Sequence, residues 1–336
     1  MTPLTVERNT MPFLPLSRRT AVCAALALLA CASVGAQPDS YPSKPITIVV
    51  AYPPGGSTDL NGRTLGAELS RKLGVPVIID NVGGAGGAIG AQKVANAAPD
   101  GYTLLVGASN EIAITRLVSS AVKYDIKDFT PIGLIATQPM VLVASQKSGV
   151  KTVDQFMSLV RQHPGKYSFG SSGVGTALHL AGEMVKDQGG LFMTHIPYRG
   201  VAPLANDLLG NNIDFGVFVL SSGLPHIRSG KVVALGTTEA RRSPMTADIP
   251  ALAETPKLKG IDINIWFALM GPARLPEPVV AKLKKALNES LQTPELRKKL
   301  EDSGSTVSPL NVDMPKFLSQ ETAKYKRIVD FANIKE

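Results

Sequence analysis

Apolar residues in this chain fall into short β-branched blocks that alternate with helically spaced ones. Ile46 to Ala51 reads as a buried strand and runs into Tyr52-Pro53-Pro54-Gly55-Gly56-Ser57-Thr58-Asp59. Leu65, Leu69 and Leu73 then recur every four residues and stop at Gly74, which predicts a helix with a glycine terminator. Val77 to Ile79 is the next strand. A glycine-rich turn, Gly83 to Gly90, opens a helix to about Ala97. Pro99-Asp100-Gly101 is a turn, and Tyr102 to Val106 a third strand. This βαβαβ order predicts a parallel sheet covered on both faces.

The pattern repeats further along. Strands are predicted at Met140 to Ala144, Lys166 to Phe169, Phe192 to Ile196, Ile213 to Val219 and Val232 to Gly236. Helices are predicted at Val153 to Arg161, Ala177 to Lys186 and Leu204 to Leu209. The last third holds a strand from Ile261 to Met270 and then three helices. One of them begins at Thr293-Pro294-Glu295, with Thr as cap and Pro in the first turn. Tyr325, Ile328, Val329 and Ala332 place an apolar stripe on the final helix. The reading is α/β with two lobes and a ligand cleft between them. Residues 37–137 begin the first lobe, 138–263 form the second, and 264–336 return to the first.

The N-terminus follows a different pattern. Arg18 and Arg19 precede an uncharged, Ala- and Leu-rich run from Thr20 to Ala32, and Val34-Gly35-Ala36 precede Gln37. This describes a secretory signal over residues 1–36, with an apolar stretch too short to span a bilayer. Ser17-Arg18-Arg19 partly matches a twin-arginine signal. Leu28-Leu29-Ala30-Cys31 offers lipidation at Cys31 as the alternative to cleavage after Ala36. The only cysteines are Cys23 and Cys31, so cleavage leaves no disulfide, thiolate metal site or Cys nucleophile. It also removes Arg8, Arg18, Arg19 and Glu7, lowering the net charge of +8 by two. The remaining positive charge is scattered over C-terminal helices and does not suggest nucleic acid. Aromatic residues are only 5% with one Trp, which argues against stacked-base and sugar clefts.

Catalytic signatures are missing from the sequence. Gly170-Ser171-Ser172-Gly173-Val174 has the wrong spacing for a nucleophile elbow. Gly84-x-Gly86 lacks the third glycine of a dinucleotide loop, because position 89 is Ile. His163, His179, His195 and His226 show no metal-ligand spacing. No catalytic residue, cofactor or metal is therefore expected. Two loops fit binding instead. Gly55-Gly56-Ser57-Thr58 and Ser171-Ser172-Gly173-Val174-Gly175-Thr176 each stand between a strand and a helix. Each presents backbone N–H groups and hydroxyls at a positive helix end, where a carboxylate is favoured.

Tyr52 to Asp59 resembles the signature of the Bug family, periplasmic solute receptors of tripartite tricarboxylate transporters. Further matches follow in the family's order: Gly83 to Gly90, Pro99 to Leu105, Phe169 to Thr176 with His179-Leu180, Ile196 to Gly200, Leu208 to Asp214, and Trp266 with Gly271-Pro272-Ala273. They cover about residues 41 to 333. The resemblance implies a type II periplasmic-binding-protein fold with a hinged cleft. It implies that Tyr52, Pro54, Gly55, Gly56, Ser57, Thr58 and Asp59 grip a ligand carboxylate together with Ser171, Ser172, Gly175 and Thr176. Ser109 and Asn110 would line the first lobe, and Tyr198, Arg199 and Gly200 the second. Arg199 stands where Lys is common, and Val82-Gly83 where Arg-Pro is usual.

Several of these residues have structural readings as well. Asp59 reads as a helix cap, and His179 as a structural histidine. Asp214 reads as a tie to the Pro197 to Gly200 loop, and Trp266 as packing where the lobes join. Arg199 reads equally as partner of a second ligand carboxylate or as a surface residue. The expected function is capture of a small carboxylated metabolite for membrane transporter components by a monomer. The alternative is a sensing protein that presents its closed form to a signalling receptor.

Overall fold

The structure is a computed structural model that describes residues 41–242 and 246–335. The expected leader over residues 1–36, its cysteines and the cleavage before Gln37 lie outside the described residues.

The chain opens with β1 (Ile46–Val50), α1 (Ser57–Leu73), β2 (Val77–Asn81), α2 (Ala88–Ala95) and β3 (Thr103–Ala108). A π-turn at Asn110–Ile114 leads into the short α3 (Thr115–Val118) and then the long β4 (Phe129–Ser145). The middle runs α4 (Val153–Gln162), β5 (Ser168–Ser171), α5 (Ala177–Gly189), β6 (Thr194–Pro197), α6 (Val201–Leu209), β7 (Phe215–Val219), α7 (Leu220–Arg228) and β8 (Val232–Thr237). It closes with β9 (Asn264–Pro272), α8 (Glu277–Leu291), α9 (Pro294–Asp302), β10 (Thr306–Val307) and α10 (Met314–Phe331).

β1 pairs in parallel with β2 and β3. Its Ile46, Ile48, Val49 and Val50 are all fully buried, as a parallel strand covered on both faces requires. On α1, Leu65 and Leu69 face this sheet and are sealed from solvent. The sheet is mixed beyond β3, because β9 runs antiparallel between β3 and β4. In the second lobe, β7-β5-β6 is parallel, while β4 runs antiparallel to β7 and β8. A second core forms there from Val141, Val143, Leu204, Leu208, Phe218, Leu220 and Leu224.

β4 belongs to both sheets. Phe129 to Pro139 pair with β9, and Met140 to Ser145 pair with β7 and β8. The expected strand covered only Met140 to Ala144. The first half escaped because Pro131, Gly133 and Pro139 interrupt the pattern, and the ladder shifts register on either side of Leu134. Helix α7 was not foreseen at all. Its Ser221-Ser222-Gly223 and internal Pro225 read as loop residues, yet Leu220 and Leu224 hold it on the core. Thr293 takes the cap position of α9 without a capping bond from its side chain, whose hydroxyl turns back to the Glu289 carbonyl instead.

At the handover in β4, Thr238 joins the two chain segments that pass between the lobes. Its hydroxyl accepts the Met140 N–H at 3.0 Å and donates to the Ile263 carbonyl at 2.6 Å. Its backbone pairs with the same two residues. Thr238→Val leaves a buried N–H and a buried carbonyl without that hydroxyl and should cost about 1–3 kcal/mol. Thr238→Ser, which keeps the hydroxyl, should lose clearly less. Urea unfolding of the three proteins checks this, and a loss in Thr238→Ser with none in Thr238→Val would assign the effect to the methyl group instead of the hydroxyl.

Candidate functional site

A cavity of about 550 Å³ lies between the lobes, within the size range of small-molecule sites. The first lobe contributes Tyr52 to Thr58, Asn110 and Ile265. The second contributes Ser172, Leu178, Arg199 to Pro203, Ala205, Val219, Ser221, Ser222, Pro225 and His226. No Asp, Glu or Lys is among these lining residues.

The α1 end of the cavity carries one set of unused donors. Ser57 and Thr58 open the helix, so their N–H groups have no carbonyl a turn behind them. Neither these two nor the Gly56 N–H has an acceptor among the described residues, and the Ser57 and Thr58 hydroxyls are also unpaired. Gly55 differs: its N–H donates to Asp59 Oδ2 at 2.9 Å. Asp59 is thus a brace for the loop and not the helix cap, a position taken by Gly56. The Asp59 carboxylate also accepts from Arg63 and Asn81, at 3.0 Å each. Burial works to raise its pKa, but these donors outweigh burial and hold it below the usual carboxylate range. Asn81 extends the brace by donating to the Tyr52 carbonyl. The loop's left-handed residue is Gly55, at φ +90°, whereas Gly56 is extended.

The second loop is differently arranged. Only Ser172 of Ser171 to Thr176 reaches the cavity. The Ser171 hydroxyl accepts from Gly173 N–H and lies 2.7 Å from His195 Nε2. A Ser–His contact this short resembles a nucleophile with its base. Ser171 is 0% exposed, however, and does not line the cavity. Gly175 donates its N–H to His179 Nδ1, and the Thr176 hydroxyl caps α5 through His179 N–H. His179 stacks on His195 at 3.7 Å between ring centres and turns Nε2 toward Glu183, so the structural reading of His179 holds. Burial, then the neighbouring His179, push the His195 pKa down to about 3.

Asn110 crosses the seam between the lobes. Its Nδ2 donates to the Tyr52 hydroxyl at 3.0 Å, and its Oδ1 accepts the Ala177 N–H of α5 at 2.7 Å. Tyr52 in turn donates to Gly86 O or Glu111 Oε2. Glu111 is fully buried, and burial raises its pKa to about 7. Beside this seam Gly175 approaches Val118 so closely that a Cβ would sit 2.2 Å from its Cγ2.

Other expected residues lie outside the lining. Ser109 is fully buried at the start of the π-turn. Tyr198 donates its hydroxyl to Asp207 at 2.8 Å, while Arg199 and Gly200 do line the cavity. Asp214 accepts from Ser168 N–H and so ties the start of β5, not the Pro197 to Gly200 loop. Trp266 is buried edge-on against Phe317, which is packing. Sequence reasoning missed Arg63 and Asn81 behind the loop and all of α7. The available signals were the four-residue spacing of Asp59 and Arg63, and hydroxyls directly after the apolar block that ends at Leu220.

Comparison with known proteins gives one picture. Residues 62–334 match the family described as "Tripartite tricarboxylate transporter family receptor". A relative from Pseudomonas sp. (strain P51), "UPF0065 protein in tcbD-tcbE intergenic region", is 32% identical over 314 residues, 93% of each chain. The periplasmic binding protein BugD has a solved structure with TM-score 0.82 and 31% identity, matched over 88% of this chain and 99% of that one. The R. palustris protein Rpa4515, solved with adipate, gives TM-score 0.84 at 31% identity over the same shares.

Two predictions follow from the loop and the seam. Gly55→Ala forces a side chain into left-handed backbone and should destabilise by about 1–2 kcal/mol, while Gly56→Ala should cost well under that. Denaturant unfolding separates them, and the reverse order would contradict the loop geometry. The second prediction concerns pH. Glu111 titrates near 4.5 when unfolded and about 7 when folded, so it removes stability as pH rises through that interval. His195 shifts from 6.5 to about 3, so it adds stability as pH rises between those values. The two oppose each other where the windows overlap. In Glu111→Gln, stability relative to the parent should therefore climb by up to about 1.4 kcal/mol per pH unit between about pH 5 and 6.5. Parallel urea-unfolding profiles for the two proteins would show that Glu111 is ionised throughout.

Proposed function

The chain belongs to the tripartite tricarboxylate transporter receptor family, and from that premise we propose that it captures a small carboxylate in its cleft. The observation that carries this reading is the set of unpaired N–H groups at Gly56, Ser57 and Thr58, residues that line a cavity whose lining holds no acid. Such donors, at the positive end of a 17-residue helix, suit one carboxylate group. The Ser57, Thr58 and Ser172 hydroxyls add adjustable donors. The adipate-bound relative supports the same ligand class.

In this reading the protein is exported by its leader, works in the periplasm as a monomer and hands its ligand to a membrane transporter. Among the described residues, no helix is long and apolar enough to cross a membrane. Catalysis is not part of the proposal. Tyr52, Pro54, Gly55, Gly56, Ser57, Thr58, Asn110, Ser172, Arg199 and Gly200 form the ligand-facing shell. Asp59, Ser109, Ser171, Gly175, Thr176 and Tyr198 act behind it by fixing the loops.

Calorimetric titration of ligand-stripped protein with mono-, di- and tricarboxylates, amino acids and sugars tests the reading. A carboxylate at about 100 times its Kd should stabilise the fold by roughly 2.7 kcal/mol. A response to sugars alone would refute it. Gly56→Val supplies the site test. Gly56 is extended and a Cβ there meets no protein atom within 4 Å, so the variant should fold normally. Its side chain should intrude on the donors and weaken the best ligand at least about tenfold, near 1.4 kcal/mol. Unchanged affinity would show that the loop is only a turn.

A further inference from the structure

Glu111 stands behind the cleft without lining it. It is fully buried in the π-turn next to Asn110, and the groups that bear on its charge are hydrogen-bond donors, none of them a cation. Its Oε1 accepts the Ala108 N–H at 2.6 Å, and its Oε2 lies 3.1 Å from the Tyr52 hydroxyl. That hydroxyl also meets Gly86 O at 2.8 Å and accepts from Asn110 Nδ2 at 3.0 Å. Tyr52 therefore has a single proton for two acceptors. With Glu111 ionised, Gly86 O and Oε2 compete for it, and the other donor to Gly86 O, Thr115 Oγ1, is 3.4 Å away. With a proton on Oε2, Glu111 donates to the Tyr52 oxygen, Tyr52 donates to Gly86 O, and every contact is a hydrogen bond. The 3.1 Å separation fits the neutral pair, because an O–H donating to a carboxylate closes to about 2.5–2.7 Å. Gly87 seals the pair: a Cβ there would stand 3.0 Å from the Tyr52 hydroxyl and 3.1 Å from Oε2.

Tyr52 and Asn110 both line the cleft, and Asn110 Oδ1 takes the Ala177 N–H of the second lobe. The ionisable groups on the elements around the π-turn are engaged elsewhere. Arg116 of α3 pairs with Asp125, Lys93 of α2 with Asp80, and Glu321 of α10 with Lys324. Tyr325 of α10 donates to Asn264 O, Tyr124 donates to the Glu111 carbonyl, and His179 of α5 turns to Glu183 and the Gly175 N–H. β3 carries no ionisable residue.

We propose that Glu111 is a positioning residue for the cleft: protonated, it completes the bonds that hold Tyr52 and Asn110 at the seam, and the protein takes up a proton there when it closes on an anionic ligand. The inference rests on the carboxylate reading above and adds its regulation. An anion beside Tyr52 and the exclusion of water from the cleft both penalise an uncompensated negative charge behind it. Burial already raises the Glu111 pKa to about 7, so the ligand-free protein holds both forms near neutral pH. Binding favours the protonated form and, by reciprocity, the protonated form binds more tightly. Affinity should therefore fall as pH rises through that range.

Calorimetric titration of the full chain at about pH 6 and about pH 8 tests this. The probe is adipate, or the tightest-binding acid of the carboxylate panel where that is another. Its Kd should be about fivefold higher at the upper pH in the parent. In Glu111→Gln, whose amide imitates the neutral carboxyl, it should change less than about twofold. His226 of the lining and the probe's own carboxylates are the same in both proteins. The parent alone gives a second measurement. In paired buffers of different ionisation enthalpy, binding near about pH 7.5 should take up about half a proton or more. Ligand-free protein gives a third. The Ala177 N–H and Asn110 side-chain NMR signals should titrate together between about pH 6 and about pH 8 in the parent, and that step should be absent from Glu111→Gln. Equal pH dependence of Kd in the two proteins, binding without proton uptake, or seam signals that ignore pH would each overturn this inference and leave the carboxylate reading standing. Binding by no carboxylate at all would remove the broader reading, and the proton coupling with it.

Discussion

The chain uses one strand to build two sheets, and the position of every cleft residue depends on that. β4 pairs with β9 up to Pro139 and with β7 and β8 from Met140 onward. Around this shared strand the parallel strands of both lobes end at the same cavity. Tyr52 follows β1, Asn110 follows β3, Ser172 follows β5, Arg199 follows β6, and Ser221 follows the end of β7. In open α/β sheets ligands bind outside the carboxyl ends of the strands, where helices begin and their first N–H groups are free. Gln138 reinforces the handover. Its amide donates to Ser303 O and Ser305 Oγ on one side and accepts the Ser221 hydroxyl on the other. A buried amide satisfied from both lobes fixes α7 relative to α9 and β10.

The seam at Asn110 follows the same logic at the opposite side of the cleft. An Asn amide can donate and accept at once. Here the donor serves Tyr52 and the acceptor takes a first-turn N–H of α5. That N–H is one of the donors a helix cannot satisfy internally. In α5 the buried Ala177 N–H is closed by a side chain of the other lobe, whereas Ser57 and Thr58 of α1 have no such partner among the described residues. Identical loop chemistry in the sequence thus gives two different outcomes, and the difference is made by a residue more than sixty positions away from α5.

The same distinction explains what could be read from the sequence. The strand–loop–helix junctions at Tyr52 and Ser171 were legible because glycine, serine and threonine clusters break the apolar pattern sharply. The two-lobed α/β fold was legible from alternating strands and helices. Which hydroxyls are free was not legible, because Ser171 is held by the distant His195 as well as by Gly173, and Thr176 turns to its near neighbours Gly173 and His179. α7 was hidden for a local reason. Pro225 and Gly223 lower its helix propensity, and burial of Leu220 and Leu224 overrides that. The first half of β4 was hidden by Pro131 and Gly133, which the ladder accommodates as bulges.

Asp59 places a buried carboxylate within the loop that opens α1. A negative charge within a turn of unpaired N–H groups ought to repel an anionic ligand. Asp59 is 4% exposed, so water does little to screen it. The structure answers with direct donors: Gly55 N–H, Arg63 Nε and Asn81 Nδ2 all point at its two oxygens. Arg63 supplies a full compensating charge at 3.0 Å, and its other arm holds Asn81. The negative charge is thereby turned inward to hold Gly55 in its left-handed conformation. That conformation sets the course of the chain into α1, where Gly56, Ser57 and Thr58 line the cavity. A neutral side chain at position 59 could not oppose Arg63, and without a bond to Gly55 the loop would lose the tether that aims those donors. The Asp59 carboxylate is thereby part of what shapes the loop.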